Sequence, residues 1–491
     1  MRSTLFHLEK RPTASIQSQI REMLVSHILK GDLPDQEALP SCRALAKQLG
    51  VSRNTVVLAY QGLVDDGYLI ARERSGFFVN GEILKGRVEQ GKASLADEEP
   101  SETVDWQGRL RNPIMRRQWH FDRTERWQDL PYPFLYGQMD YSLFPLSAWR
   151  ECSRQAMGTR TMESVTPDSY DRDDPDLIEQ IRSRLLPRRG INASQSEILV
   201  TLGAQNALYL IGSLLVRDHD RVGVENPGYP DARHIFRQFT DQVVPLAVDD
   251  SGLVVDETLD ECRYVLATPS HHFPTTVTMS LERRKALLDK AFKHDFLLIE
   301  DDYEPETNFI SNPAPALKSL DRQGRVIYMG SFSKSLFPGL RLGYIVAQSA
   351  VIEELRALRR LMYRHPPGNN QRTAALFLGL GHYDSLVTKL QRTYRERWEV
   401  MGDALQRYLP NASEAPVFGG SSYWVRGPEG MDSLAFAQNA LEKGVALDPC
   451  VDFFFEETPG PRNFIRLGFS SIPTERIEPG IKLVSELMKQ I

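Results

Sequence analysis

Ser331-Phe332-Ser333-Lys334-Ser335-Leu336-Phe337-Pro338-Gly339-Leu340-Arg341 follows the apolar run Val326-Ile327-Tyr328-Met329, and Asp301-Asp302-Tyr303 follows Phe296-Leu297-Leu298-Ile299 in the same manner. A lysine amine forms an imine with an aldehyde. An aspartate keeps a pyridinium nitrogen protonated, and an arginine forks onto a phosphate. Lys334, Asp301 and Arg341 therefore supply together what pyridoxal 5'-phosphate (PLP) requires of a protein. Ser331 and Ser333 add hydroxyls for the phosphate, and Pro338-Gly339 makes a turn that returns Arg341 to the same loop. An ordinary strand-to-helix turn with a serine cap is the competing reading, and the number of coinciding pieces weighs against it.

Around this segment apolar strands alternate with polar turns and helices. Ile198-Leu199-Val200 leads through Gly203 into a helix over Ala204–Leu215. Val222-Gly223-Val224 leads through Asn226-Pro227-Gly228-Tyr229-Pro230 into a helix over 231–239, and Tyr264-Val265-Leu266 leads into Thr268-Pro269-Ser270-His271-His272-Phe273-Pro274-Thr275. Such a succession predicts a buried, mostly parallel sheet. Each candidate residue falls just past a strand's C-terminal end, where open α/β sheets bind ligands. Gly203-Ala204-Gln205 opens a helix, whose free N–H groups and positive dipole end suit a phosphate.

Asp301 follows an apolar strand and is expected to be partly buried, so it needs a cationic partner, which a protonated ring nitrogen provides. Tyr303 is placed to hydrogen-bond the cofactor's phenolic oxygen. A loop of solvated acids (Glu300, Asp301, Asp302, Glu304) is the alternative. Arg466, within the apolar run Phe464-Ile465-Arg466-Leu467-Gly468, calls for a carboxylate or another anion, and a structural ion pair competes with a ligand for that role. His271 and His272 are adjacent and on a strand would face opposite sides, a poor geometry for one metal. No metal is assigned. His271 either lines the pocket or is simply hydrogen-bonded.

With 491 residues the chain suits two or three domains. Its 41% apolar and 25% charged content is that of a soluble globular protein. No apolar run approaches the ~18 residues that cross a bilayer, and the N-terminus lacks the apolar stretch of a signal peptide. Cys42, Cys152, Cys262 and Cys450 are far apart and read as reduced cytosolic thiols, so a cytoplasmic protein is expected. The net charge of -6 argues against a chain that coats nucleic acid. Residues 1–80, with ten Lys/Arg against eight Asp/Glu, carry +2. DNA binding there would rest on local placement of cations.

That N-terminal part has its own grammar. Over residues 14–30, Ile16, Ile20, Leu24 and Ile28 stand four apart, the pattern of an amphipathic helix stopped by Gly31. Ser41 caps a short helix over Cys42–Leu49, Gly50-Val51 turns, and Ser52 caps a helix over 53–66 with Val56, Val57, Tyr60 and Leu63 inward. Tyr68-Leu69-Ile70-Ala71 and Gly76-Phe77-Phe78-Val79 read as two strands around a wing. Ser41, Arg43, Ser52, Arg53, Asn54 and Thr55 cluster at the starts of the second and third helices, where hydroxyls grip phosphates while Arg and Asn read purine edges. Arg72, Arg74 and Gly76 form the wing tip. Ser41 and Ser52 can be caps and phosphate contacts at once. Residues 81–125 read as a linker, with the acidic, aperiodic stretch 93–102. Its later part interleaves Arg and Trp, suited to a protein surface or to DNA phosphates.

Residues 6–80 resemble the winged helix-turn-helix domain of the GntR superfamily, through Leu39-Pro40-Ser41-Cys42-Arg43-Ala44-Leu45-Ala46, Val51-Ser52-Arg53-Asn54-Thr55-Val56, Ala59-Tyr60-Gln61-Gly62-Leu63 and Gly67-Tyr68-Leu69. Residues 126–491 resemble the fold-type I aminotransferases, and the two joined in this order resemble the MocR/GabR subfamily of PLP-dependent transcription regulators. The resemblance implies a multidomain chain: a winged helix-turn-helix (α+β), then an α/β transferase domain with a mostly parallel central sheet and a smaller C-terminal α+β subdomain. It implies Lys334 as the Schiff-base lysine, Asp301 at the pyridine nitrogen and Tyr303 at the 3'-oxygen. Ser331, Arg341 and Gly203-Ala204-Gln205 would form the phosphate cup, with Tyr229 stacked on or near the ring. Arg466 would take the α-carboxylate of an amino acid, and the subfamily commonly forms a head-to-tail homodimer.

Three departures are visible. Many relatives read His-Gln-Phe-Pro-(Thr/Ser)-Gly where this chain has His271-His272-Phe273-Pro274-Thr275-Thr276. Relatives that sense γ-aminobutyrate carry an arginine where this chain has Asp231, an acid that suits an effector with an extra amine. The common Asp-Pro-x-Gly segment is here Asp174-Pro175-Asp176-Leu177. Diamino acids, including ectoine breakdown products, and taurine-like amines are the candidate effectors.

The expected function is a regulator that binds double-stranded operator DNA. PLP waits as an internal aldimine on Lys334, and an amino compound displaces the lysine by forming an external aldimine. A catalytically active aminotransferase is the alternative, since the groups for turnover are present; the intact recognition helix favours the regulator. A sensor of PLP itself is a third reading.

Overall fold

Gly343–Val346 runs antiparallel between Ile198–Thr201 and Val326–Ser331, and from Val326–Ser331 every strand as far as Val243–Asp249 runs parallel to its neighbour. This computed structural model describes residues 6–8, 11, 14–85, 104–109, 127–137, 139–159, 161, 163, 166–169, 171–310, 314–413 and 419–491. The chain divides into two units, Met1–Gly108 and Arg109–Ile491. The acidic stretch 93–102 and most of the Arg/Trp-rich part of the expected linker lie outside the described residues.

In the first unit, helices α1 (Ile16–Lys30), α2 (Cys42–Leu49) and α3 (Arg53–Asp65) are followed by strands β1 (Leu69–Arg72) and β2 (Gly76–Val79). The strands form an antiparallel hairpin with Leu69 opposite Val79 and Arg72 opposite Gly76. Gly31 and Gly50 close α1 and α2 in the left-handed region, at φ 81° and 65°. Ile20, Leu24, Leu45, Val56, Ala59, Tyr60, Leu63 and Leu69 share one core. The expectation for Val57 is corrected: it is 38% exposed, and Ala59 takes the inward place. At 100° per residue, positions 56, 59, 60 and 63 share a face and 57 turns off it.

In the second unit the strands are β3 (Tyr132–Pro133), β4 (Ile198–Thr201), β5 (Val222–Asn226), β6 (Val243–Asp249), β7 (Gly252–Leu253), β8 (Tyr264–Ala267), β9 (Leu297–Asp302), β10 (Val326–Ser331), β11 (Gly343–Val346), β12 (Ser422–Arg426), β13 (Val445–Ala446), β14 (Asp448–Pro449) and β15 (Phe464–Gly468). The main sheet has the order β4-β11-β10-β9-β8-β5-β6-β7. Its central strands are buried on both faces, and alternate residues enter different cores. Leu199, Leu266, Ile299, Ile327 and Ile345 pack to one side, whereas Val200, Tyr328 and Tyr344 join another cluster and Val265 and Leu298 a third. A period of two with both faces apolar is the signature of a sheet covered by helices. Because β4, β5, β8, β9 and β10 share a direction, their C-terminal ends lie along one edge of the sheet.

A smaller sheet, β12-β15-β14, is antiparallel, and β13 pairs in parallel with β3. The residues after β3 are tied to both: Phe134 N–H donates to the Ala446 carbonyl at 2.8 Å, and Gly468 N–H donates to the Phe134 carbonyl at 2.9 Å. A Cβ at Gly468 would lie 2.6 Å from the Leu135 backbone, so only glycine lets the strand approach this closely. This seam delivers Tyr136 to the edge where the large strands end.

Candidate functional site

The shared edge holds a cavity of about 380 Å³, lined by Ala204, Gln205, Tyr229, Asp231, Asp301, Tyr303, Ser331, Ser333, Lys334 and Arg341, together with Tyr136, Gly137, Thr268, Phe273 and Pro338. Nearly every residue expected at the cofactor thus meets in one place. Asp301 and Ser331 lie inside the last turns of β9 and β10 instead of just past them. Gly203 stands at the lip with φ 93°, where a Cβ would lie 3.4 Å from the Arg341 guanidinium. The helix over Ala204–Leu215 begins beside it, as its sequence predicts. Arg341 adopts the left-handed conformation at φ 53°, which turns its side chain back toward this helix start.

Electrostatics sort the acids. Asp302 is spoken for: Arg189 Nε donates to its Oδ2 at 2.6 Å, and Tyr328 Oη donates to the same oxygen at 2.9 Å. Asp301 faces the cavity, and burial, with Asp302 close by, raises its carboxyl to about 7, although the Lys334 charge opposes the shift. A cation entering the cavity would favour the ionised form of this carboxyl. Lys334 Nζ sits 4.1 Å from the Tyr136 ring centroid, and a Cβ at Gly137 would collide with it. The set fits a flat, phosphorylated aldehyde with a basic ring nitrogen: amine, acid, hydroxyls, arginine and helix start surround one space.

Asp231 accepts from Tyr229 Oη at 3.0 Å and from Gln205 Nε2, so the acid is held at the wall by two neighbours. Arg466 and His271 are not among the cavity-lining residues. Arg466 is fully buried on β15, where its Nε donates to Ser422 Oγ at 2.8 Å. Its guanidinium lies 3.4 Å from the Tyr136 ring centroid and 4.4 Å from that of Phe273. Both its Nη atoms, and the Tyr136 and Tyr303 hydroxyls, are buried, and the Arg466 guanidinium is the cationic donor that bears on each phenol. Their proximity is felt, since the Arg466 charge opposes the upward shift of both phenols.

His271 lies behind the wall, with Nε2 3.1 Å from Glu304 Oε1. Burial pushes the Glu304 carboxyl up, but the His271 hydrogen bond and the Arg466 charge outweigh it and hold the group below the usual range. His272 follows a different course: β8 ends at Ala267, so the pair lies in a loop, and His272 Nδ1 meets Thr275 Oγ1 at 2.7 Å. Burial pushes His272 down to about 3, so it is neutral. Among the described residues no cluster of His, Cys, Asp and Glu has the makings of a metal site.

Sequence reasoning missed Tyr136, Thr268, Phe273 and Glu304. Thr268 Oγ1 donates to the buried Glu225 at 2.6 Å, and burial raises Glu225 to about 8. The Thr268-to-Thr275 loop, following an apolar strand, hinted at Thr268 and Phe273. Nothing local marked Tyr136.

In the first unit, Ser41 Oγ accepts from Ala44 N–H at 3.2 Å and Ser52 Oγ from Thr55 N–H at 3.1 Å, so both serines are caps. Ser41, Arg43, Ser52, Arg53, Asn54, Arg74 and Gly76 are exposed, and Thr55 is half-buried against the Ser52 hydroxyl. Arg74 and Gly76 both have positive φ, 60° and 103°, which shapes the tight wing. Arg72 folds back over Phe78, 4.4 Å from its ring centroid.

Comparison with known proteins bears on both units. The family "Aminotransferase class I and II" matches residues 136–483, and "Bacterial regulatory proteins, gntR family" matches residues 16–79. The chain is 44% identical over 484 residues to the HTH-type transcriptional regulator TauR of Rhodobacter capsulatus, covering 99% of both. It is 29% identical to the probable rhizopine catabolism regulatory protein MocR of Rhizobium meliloti, covering 96% of this chain and 94% of that one. Among solved structures it is similar to Pyrococcus horikoshii kynurenine aminotransferase in complex with PMP (pyridoxamine phosphate), with TM-score 0.69 and 28% identity over 76% of this chain and 95% of that one.

Proposed function

The chain belongs to the MocR-like HTH-type regulators, in which a gntR-family domain precedes an aminotransferase class I and II domain, and on that premise we propose that it senses a small amino compound at Lys334 and answers by changing its hold on operator DNA. Its cofactor is pyridoxal 5'-phosphate. When bound, that group supplies an aldehyde carbon that condenses with primary amines. Asp301 would hold the ring nitrogen protonated, its own ionisation secured by that charge. Ser331, Ser333, Arg341 and the N–H groups at Ala204 and Gln205 would hold the phosphate. Tyr303 would face the phenolic oxygen and Tyr229 the ring. Lys334 yields its position to the effector's amine. Asp231 favours effectors with a second cationic group, and Arg466 would anchor an acid group.

The single observation that carries this reading is the convergence of Lys334, Asp301, Arg341 and Asp231 on one cavity in a chain whose other unit exposes Arg53 and Asn54 at the start of α3. Homodimerisation in the cytoplasm is part of the reading, supported by the exposed apolar pair Leu361 and Met362, 83% and 44% accessible. The test compares two measurements on the holoprotein: amine-dependent change in operator affinity by fluorescence anisotropy, and steady-state transfer of amino groups to a keto acid. An affinity change without multiple turnover supports the regulator. Fast turnover with no DNA affinity overturns it in favour of an aminotransferase.

A further inference from the structure

We propose that Leu58, with Val57 beside it, reads thymine methyl groups in the major groove of the operator. The proposal rests on the assignment of α3 as the DNA-reading helix. Among the described residues between 14 and 85 the exposed large hydrophobic ones are Val57, Leu58 and Ile70, at 38%, 56% and 40% accessible, and two of the three lie on α3. The inward face of that helix is filled by Val56, Ala59, Tyr60 and Leu63. Helical geometry places Leu58 on the opposite face with Asn54 and Gln61, and Val57 on its flank. Both fall in the first half of the helix, the part that reaches base edges when a recognition helix enters the major groove.

A lone exposed leucine is ordinary on a protein surface. An adjacent apolar pair, on the outward face of a helix whose other face is fully packed, is not. Its surroundings identify the occupant. Arg43 and Lys47 on α2, Arg53 at the start of α3, and Arg72 and Arg74 on the wing are all exposed. A cation-framed apolar patch repels an apolar protein partner's basic rim but complements a phosphate-lined groove. The one apolar feature a base edge offers there is the C5 methyl of thymine. Asn54, on the same face, suits the adenine N6/N7 edge, so the pair would favour A·T-rich half-sites.

The test uses the full chain with its cofactor. A duplex is recovered by repeated selection from a random-core library, and each thymine is replaced in turn by deoxyuridine, which removes only the methyl. We expect one or two positions at which affinity falls about fourfold per methyl. Leu58→Gln, and Val57→Ser at a neighbouring position, should bind thymine and deoxyuridine duplexes alike. Because both side chains are exposed, these variants keep the packed core, and an unchanged melting temperature confirms it. Sequence-specific binding with no deoxyuridine effect, or an effect undiminished in both variants, overturns the proposal while leaving α3 as the reading helix. Failure to select any duplex overturns both.

Discussion

The Arg466 guanidinium stacks on the Tyr136 ring at 3.4 Å from its centroid, and the same ring carries Lys334 Nζ at 4.1 Å. Tyr136 lines the cavity and Arg466 does not. One aromatic side chain therefore touches both the cavity-lining amine and a fully buried cation. Arg466 is fully buried, and its guanidinium bears on the Tyr136 and Tyr303 hydroxyls alike.

Arg466→Lys keeps the charge and loses the fork. Effector affinity should fall about tenfold or more, because bidentate recognition is lost. The cofactor's own absorbance should stay unchanged. Titration of that absorbance with amino compounds checks it; equal affinity in the variant would remove Arg466 from the effector site.

Lys334→Ala should bind the cofactor without its imine absorption, and borohydride should trap nothing at that position. Lys334 is half-buried against Tyr136 and Gly137, so its truncation leaves the fold intact. Absorption identical to the parent chain would refute the lysine assignment.

Asp301 carries a pH signature. Its folded-state carboxyl is raised to about 7 in the cofactor-free cavity, above the ordinary value of 3.8. The folded state thus binds more protons than the unfolded state between these values, so stability is greatest at low pH and falls as pH rises through about 7. The penalty at pH 8 is on the order of 4 kcal/mol for this one group. Cofactor binding should relieve it, so the melting-temperature gap between holo and apo chains should widen from pH 5 to pH 8. In Asp301→Asn the widening should shrink; a gap that widens equally in both would mean that Asp301 does not face the ring nitrogen.

Asp231→Arg should reverse effector preference. The acid is held by Tyr229 and Gln205, and an arginine there presents a cation where an extra amine would otherwise be favoured. Diamino compounds should weaken about tenfold, and ω-amino acids with a second carboxylate should gain. A screen read by cofactor absorbance decides, and an unchanged ranking would exclude Asp231 from selection.

Arg53→Ala should weaken operator binding about tenfold, the loss of one base-edge or phosphate contact, with no change at the cofactor. Salt dependence separates the two: a shallower slope marks a phosphate contact, an unchanged slope with relaxed sequence preference marks a base contact. Parent-like affinity would count against this part of α3 as the contact surface.

Local chemistry announced much of this site. Lys334, Asp301 and Arg341 each follow an apolar run, and strand-then-polar-turn is a pattern of neighbours in the chain, so it survives without coordinates. Ser41 and Ser52 were legible as caps for the same reason. Val57 was misjudged because an apolar residue between buried ones looks buried until the helix angle is applied. Tyr136 and Glu304 were invisible as site residues, since Tyr136 meets Arg466 and Glu304 meets His271 and Ser421, all distant in the chain.

Periodicity and the order of residues along each strand and turn were enough to specify a mostly parallel α/β domain, an N-terminal helix-turn-helix with a wing, and the lysine, acid and arginine that line one cavity. These are consequences of local sterics and of which residues avoid water. The pairing of β10 with β9 and β11, and the seam that sets Gly468 against Leu135, belong to the tertiary structure. They arise because separate apolar surfaces bury each other, and only that burial brings Tyr136 between Arg466 and Lys334 and leaves Asp301 facing a space that calls for a cation.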